Sequence, residues 1–367
     1  MADFIMVTVV VLRLVVPLFI PKFPLPAIVL ALIIDGVDQT IFQIFTDSDL
    51  PGYQSYDKAL DVYYLAIAYL STMRNWREPV AFDIARFLFL FRLVGVAFFE
   101  ATQWRWILMV FPNTFEYYFI AYEAIRTRWN PFVLKSRQVA GLAAAIWVFI
   151  KLPQEWWIHV AQFDVTDTLA EYPIGWLVIF GGLGLIGFVV WSLRGRIPAP
   201  DWPFTVRVDD HLQLSDYEGR GRERFFSAIL VEKIMLCALI AVIFSQVIPG
   251  VQATDTQLAI GVTVLVVANT LISQVIRRFG KVWASSFTQF LATLAINIAI
   301  VWVDARFGGD SRVYGLRWST VFYMVMLSFL MALFDRYRLS RDPQERIDVM
   351  RTLRSGEITP PLARRPS

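Results

Sequence analysis

The feature that most constrains this chain is the recurrence of apolar stretches about as long as a lipid bilayer is thick. A helix needs about 20 apolar residues to cross the ~30 Å hydrocarbon core, and it satisfies its backbone hydrogen bonds internally there. Eleven stretches of the sequence meet this requirement, at residues 4–20, 26–46, 59–74, 79–101, 105–125, 138–161, 173–193, 225–248, 257–276, 284–304 and 313–335. The sequence therefore predicts an all-α, polytopic integral membrane bundle of about eleven transmembrane helices.

The composition agrees with this prediction. Of the 367 residues, 57% are hydrophobic and only 18% are charged, whereas soluble domains carry about 25% charged residues. The first stretch is the weakest candidate, because Arg13 lies near its centre and Pro17 near its end. If that stretch lies in the interface or re-enters the membrane, ten spans remain.

The loops between the spans alternate in charge. The basic residues collect on one side, at Lys22, Arg74, Arg77, Arg126, Arg128, Lys135, Arg137, Arg194, Arg196, Arg207, Arg220, Arg222, Arg224, Arg277, Arg278, Lys281 and the arginine-rich tail after residue 335. The loops of the other side are acidic or neutral. Because basic loops stay in the cytoplasm, the pattern predicts an outside N-terminus, a cytoplasmic C-terminus and a place in the plasma membrane.

Several classes of site are disfavoured by composition. One cysteine and two histidines exclude an internal disulfide and disfavour metal sites built from several thiolates or imidazoles. No Walker loop is present, and no GxGxxG motif opens a predicted helix. We expect no metal, no cofactor and no nucleic-acid partner. The expected partners are the lipid bilayer and a small solute or ion, and the sequence does not fix the oligomeric state.

Four regions follow from the distribution of charge. Residues 1–193 form a membrane bundle with a polar interior, and residues 194–224 form a cytoplasmic loop. Residues 225–335 carry few charges within their spans and are expected to be a membrane scaffold. Residues 336–367 form a basic cytoplasmic tail that is partly disordered. Span 7 is rich in glycine, which predicts close packing against another helix.

The candidate site is a set of polar side chains near mid-depth on spans 2, 4, 5 and 6. Its members are Asp35, Asp38, Gln39, Arg92, Asn113, Glu116, Lys151, Glu155 and His159. Each unpaired charge near the bilayer centre costs about 2.5–3.5 kcal/mol even on the lenient insertion scale. These side chains must therefore meet one another, or water, inside the bundle. They are expected to line a substrate or ion pathway.

Two prolines lie beside these residues. Pro112 precedes Asn113 and Glu116, and Pro153 lies between Lys151 and Glu155. A proline removes one helical donor and frees a carbonyl one turn earlier. Helices interrupted near mid-depth are common in transport pathways, and they are also common as simple kinks.

Three functions are compatible with this pattern. The first is movement of an ion or small solute through a polar cavity between spans 2, 4, 5 and 6. The second is a membrane-embedded enzyme in which Arg86, Arg92 and Lys151 hold the phosphate of a lipid. The third is a structural or accessory subunit whose buried ion pairs fix helix register.

Overall fold

The structure is a computed structural model that describes most of the chain. The described residues are 2–46, 53–76, 78–131, 134–161, 174–193, 195, 199–202, 204–208, 228–245, 254–278, 286–307 and 318–338. Within these ranges every regular element is helical and no strand occurs. The all-α prediction is confirmed. Most of the predicted loop 194–224 and nearly all of the tail 336–367 lie outside the described residues.

Helices occupy nearly every described range. The first seven are α1 (Ala2–Val15), α2 (Pro24–Thr46), α3 (Tyr53–Asn75), α4 (Pro79–Thr102), α5 (Trp106–Val110), α6 (Thr114–Arg126) and α7 (Ser136–Ala145), with a 3₁₀ turn at Val16–Phe19. The remaining six are α8 (Leu152–Glu155), α9 (Ile174–Leu193), α10 (Ala228–Ser245), α11 (Asp255–Arg278), α12 (Ser286–Phe307) and α13 (Trp318–Arg338). Two π-helical segments, Ile146–Lys151 and Trp156–Val160, flank α8.

Two of the described helices are long and apolar enough to cross a membrane, at Ala228–Ser245 and Asp255–Ser273. Helices α2, α3 and α4 are as long, with 23, 23 and 24 residues. Helices α3 and α4 carry four charged residues each, and some of these meet inside the bundle. The total of eleven spans stays a prediction.

Helices α3 and α4 form the centre of the bundle. They pack on each other and on α10, and α13 also contacts α3. A cluster of buried rings fills this junction, where Tyr69 stacks on Phe89 at a centroid distance of 4.6 Å and Phe115 meets both edge-on. The single cysteine, Cys237, is buried on α10. The N-terminal and C-terminal helices therefore share one apolar core.

The C-terminal helices are joined by a few polar contacts. Lys233 Nζ donates to both carboxylate oxygens of Asp335, at 2.8 and 2.9 Å. Asn269 donates to Asn297 at 2.6 Å, and Asn297 donates to Ser328 at 2.9 Å. These contacts link α10 to α13 and α11 to α12 and α13.

Span 7 was predicted to pack closely against another helix, but three of its glycines have no close neighbour. A Cβ added at Gly181, Gly184 or Gly187 would have nothing within 4 Å. The described side chains of α9 are exposed, including Leu177 and Phe180. Glycine composition alone therefore did not locate a close helix contact in this chain.

At Gly95, in contrast, there is no room for a side chain. A Cβ at this position would collide with the Cβ and ring of Phe111. We expect Gly95→Ala to lower the free energy of unfolding by about 1–3 kcal/mol, the usual cost of overpacking. Thermal unfolding of the detergent-purified variant measures this. The matched control is Gly141→Ala on α7, where a Cβ would meet nothing within 4 Å. A melting temperature for Gly95→Ala at or above that of the control would contradict the prediction.

Candidate functional site

One long helix carries three of the predicted site residues. It begins with α7 and continues through the π-helical segment 146–151, α8 and the π-helical segment 156–160. Pro153 therefore does not end the helix, because the wider π turns beside it accommodate the lost donor. Lys151, Glu155 and His159 are all buried. π turns are often found at functional sites.

A second helix is interrupted at Pro112. Helix α5 ends at Val110 and α6 begins at Thr114, so that Phe111, Pro112 and Asn113 are non-helical. Side chains from other helices satisfy the freed backbone groups. Arg92 Nη1 donates to the Phe111 carbonyl at 2.9 Å, and the Asn113 amide donates to Glu155 Oε1 at 3.0 Å. The break is therefore held in place by two of the predicted site residues.

Side chains from three segments of the chain contact Glu116. The Tyr64 hydroxyl of α3 donates to its Oε1, and Asn113 Nδ2 donates to its Oε2 at 3.0 Å. Lys151 Nζ lies 3.6 Å from the same Oε2 and 3.9 Å from the centroid of the Tyr117 ring. Both oxygens of the buried Glu116 carboxylate therefore face donors.

Glu155 is the second buried carboxylate that accepts a hydrogen bond from Asn113. Its Oε2 lies 2.9 Å from His159 Nε2, and Arg92 Nη1 lies 4.0 Å from its Oε1. The carboxylate therefore joins α4, the break before α6 and the π-helical segment of His159. The structure brings together Arg92, Asn113, Glu116, Lys151, Glu155 and His159, as the candidate site requires.

The remaining predicted residues gather around Arg13. Its guanidinium contacts Asp35 and Asp38 of α2, and it lies 3.2 Å from Asp57 and 3.0 Å from Asp61 of α3. Lys58 Nζ adds contacts of 3.0 Å to Asp57 and 3.9 Å to Asp61. Gln39 lies on α2, but its side chain is outside the part that the structure describes.

The two clusters are electrostatically continuous. Asp61 interacts with both Glu116 and Lys151, and Lys58 interacts with Arg92. We call the combined set the charge network and define it by six carboxylates, four cations and His159. Its members are Asp35, Asp38, Asp57, Asp61, Glu116, Glu155, Arg13, Lys58, Arg92, Lys151 and His159.

Sequence reasoning missed the contribution of Arg13 and of α3. The apolar stretch begins at residue 59, which left Asp57 and Lys58 outside the predicted span, whereas α3 begins at Tyr53. A signal was present: Asp57, Asp61 and Tyr64 are spaced i, i+4 and i+7, which places them on one helix face. Arg13 near the middle of an apolar stretch also required a buried acidic partner.

Three carboxylates of the charge network have the spacing of a metal site. Oxygens of Asp35, Asp57 and Asp61 lie within 4.8 Å of one another. The Arg13 guanidinium contacts all three, so it acts as their counter-ion in this structure. The absence of a metal stays a prediction.

No family model, curated protein or solved structure matches this chain.

The network is more open at one end than at the other. The Asp35 and Asp57 side chains are 21% and 20% exposed, whereas those of Glu116 and Lys151 are 4% exposed. Past Glu116 along α6, Trp76 Nε1 donates to Glu123 at 2.6 Å, and Arg126 pairs with the same carboxylate at 2.7 Å. Side-chain exposure therefore falls from Asp35 and Asp57 towards Glu116 and Lys151.

Proposed function

We propose that the chain is a multi-pass protein of the plasma membrane that moves an ion, or a small solute together with an ion, through the charge network. It has ten or eleven spans, with the N-terminus outside and the C-terminus in the cytoplasm. Under this topology the aspartate end of the network faces outwards, and Trp76 and Arg126 lie at the cytoplasmic end of α3 and α6.

The polarity of the long helix supports a membrane setting. Its buried side chains are charged, with Lys151 3% and Glu155 4% exposed. Its exposed side chains are apolar, with Phe149 79%, Trp156 48% and Ile158 41% exposed. Soluble helices have the opposite arrangement. An apolar exterior around a charged interior is what a lipid surrounding requires.

The observation that carries the proposal is the excess of carboxylates inside the network. Six acidic side chains face four basic side chains. A network that only fixes helix register is most stable when its positive and negative charges are equal in number, because each uncompensated buried charge is costly. An excess of two carboxylates favours a mobile positive charge that completes the network.

The lipid-enzyme alternative is less well supported. It needs Arg86, Arg92 and Lys151 to converge on one phosphate. Arg86 is half exposed and lies 3.7 Å from Glu232 of α10, and six residues separate it from Arg92, or about 9 Å along a helix axis. Arg92 and Lys151 are already paired with carboxylates.

Glu116→Gln tests the proposal. Purified protein in proteoliposomes is given a NaCl gradient, and a voltage-sensitive dye reports its dissipation. We expect the wild-type protein to dissipate the gradient and the variant to be about tenfold slower or worse, because a charged interaction of about 1.5–3 kcal/mol is lost.

The matched control is Glu123→Gln, seven residues further along the same helix. Glu123 is as buried as Glu116 and is also ion-paired, but it lies outside the charge network. We expect the control to keep the wild-type rate. Equal rates in the two variants, or no dissipation by the wild-type protein, would contradict the proposal.

A further inference from the structure

We propose that α5 is the outer gate of the charge network. It turns on two non-helical joints, at Gln103 and at residues 111–113, and it is held closed by Arg92 and Glu155. This inference rests on the proposed function, because a gate is needed only where an ion or solute moves. It is carried by the backbone on both sides of α5, by the side chains that α5 covers and by the contacts of its second joint.

Non-helical residues separate α5 from the long helices on either side. Helix α4 ends at Thr102, and Gln103 has a φ of 57°, the one positive φ of a non-glycine residue in the described part of the chain. This conformation is uncommon for a residue with a side chain. After α5, Phe111 and Asn113 have ψ angles of 66° and 61°, which are outside the helical range. Hinges consist of a few residues at the ends of such elements, so α5 can rotate as one piece between α4 and α6.

Helix α5 covers buried members of the charge network. It packs on α8, which ends at Glu155, on the π-helical segment that carries His159, and on α4. Ile107 and Leu108 are buried in this contact, whereas Trp106 is 55% exposed. Under the proposed topology α4 ends at the outer side of the membrane, so α5 lies in the outer half. A rotation of α5 would therefore uncover Glu155 and His159 towards the outside.

Two side chains of the charge network hold the second joint. Arg92 Nη1 donates to the Phe111 carbonyl at 2.9 Å, and Glu155 Oε1 accepts from the Asn113 amide at 3.0 Å. The Phe111 side chain also packs against α4 at Gly95, where no room is left for a Cβ. These contacts fix the closed position of α5.

The gate is coupled to the ion, because the groups that hold it belong to the pathway. Arg92 Nη1 lies 4.0 Å from Glu155 Oε1, and the Asn113 amide donates to that same oxygen. A cation that reaches this oxygen competes with both donors and weakens the hold on residues 111–113. A ligand shifts a conformational equilibrium by the difference in its affinity for the two states. A cation at Glu155 therefore favours the open position of α5.

Hydrogen exchange of detergent-purified protein tests the hold of Arg92 on α5. We expect the backbone amides of residues 105–111 to exchange about tenfold faster in Arg92→Met than in the wild-type protein, because a charge-assisted hydrogen bond no longer favours the closed position. The matched control is Arg126→Met. Arg126 is also buried and ion-paired, but it lies outside the charge network, and its variant should keep the wild-type exchange. Unchanged exchange of residues 105–111 in a folded Arg92→Met variant would overturn the gate.

A reversible cross-link tests whether α5 has to move. A Cβ at Gly95 would collide with the Cβ of Phe111, so a disulfide can form in Gly95→Cys with Phe111→Cys after a small shift of the chain. The disulfide ties the second joint to α4. In proteoliposomes with a NaCl gradient, we expect the reduced double variant to dissipate the gradient and the oxidised one to be about tenfold slower or worse, because closure blocks a required conformational step. The two single variants, treated with the same oxidant, should keep their rates.

The outcomes separate the gate from the proposed function. If the wild-type protein does not dissipate the gradient, the proposed function fails and the gate fails with it. If the fully oxidised double variant is as fast as the reduced one, ion movement stands and the gate alone is wrong. If Arg92→Met does not elute as a folded species, the cross-link decides between these results.

Discussion

Arg13→Ala is expected to prevent stable folding of the protein. The Arg13 side chain is 3% exposed and contacts four aspartates on two helices. Breaking a single buried ion pair from one side costs about 3–5 kcal/mol, while whole domains are stable by only about 5–15 kcal/mol. The measurement is the fraction of protein that elutes as a single species in detergent, together with its melting temperature.

Two further variants show whether charge is the cause. Adding Asp35→Asn and Asp38→Asn to Arg13→Ala should restore part of the folded fraction, because fewer carboxylates are left unpaired. Arg86→Ala is the comparison variant, since Arg86 is half exposed and lies 3.7 Å from one carboxylate, that of Glu232, so its loss should cost less than that of the buried Arg13. A wild-type melting temperature for Arg13→Ala would show that the aspartates do not need their counter-ion.

Lys233→Met is expected to destabilise the C-terminal helices strongly. Lys233 holds both oxygens of Asp335 and is 3% exposed on its side chain. Its loss leaves a largely buried carboxylate without its cation, at a cost of about 3–5 kcal/mol. Thermal unfolding in detergent measures the effect. Replacing both partners, as Lys233→Met with Asp335→Leu, should restore most of the stability, because apolar replacements of buried pairs are often neutral or better.

The same double replacement also tests whether ion movement depends on the charge network and not on the C-terminal helices. We expect Lys233→Met with Asp335→Leu to keep the wild-type rate of gradient dissipation. The corresponding pair in the charge network, Lys151→Met with Glu116→Gln, should fold and lose that activity. If the scaffold pair loses the activity and the network pair keeps it, the two regions have been assigned the wrong roles.

The helical class and much of the candidate site followed from sequence patterns alone. Polar residues on separated apolar stretches had to meet, and the structure does bring Arg92, Glu116, Lys151 and Glu155 together. The partners of Arg13 did not follow. A search for apolar stretches treats charges as boundaries, whereas paired charges such as Asp57 and Lys58 lie within a helix.

The two prolines show a second limit of sequence reasoning. Both remove a backbone donor, yet the chain breaks at Pro112 and continues through Pro153. The difference comes from the surroundings. At Phe111 and Asn113, Arg92 and Glu155 satisfy the freed groups, while at Pro153 the neighbouring π turns shift the hydrogen-bond register. The sequence around each proline does not show which groups will satisfy the backbone there.

Cys237 makes the whole chain a convenient background for site-specific labelling. It is the single cysteine of the sequence, and it is fully buried on α10. A membrane-impermeant maleimide should therefore leave the folded wild-type protein unmodified. Any cysteine introduced into a loop then reports its own accessibility, so the side of the membrane occupied by each loop can be determined without first removing a native thiol.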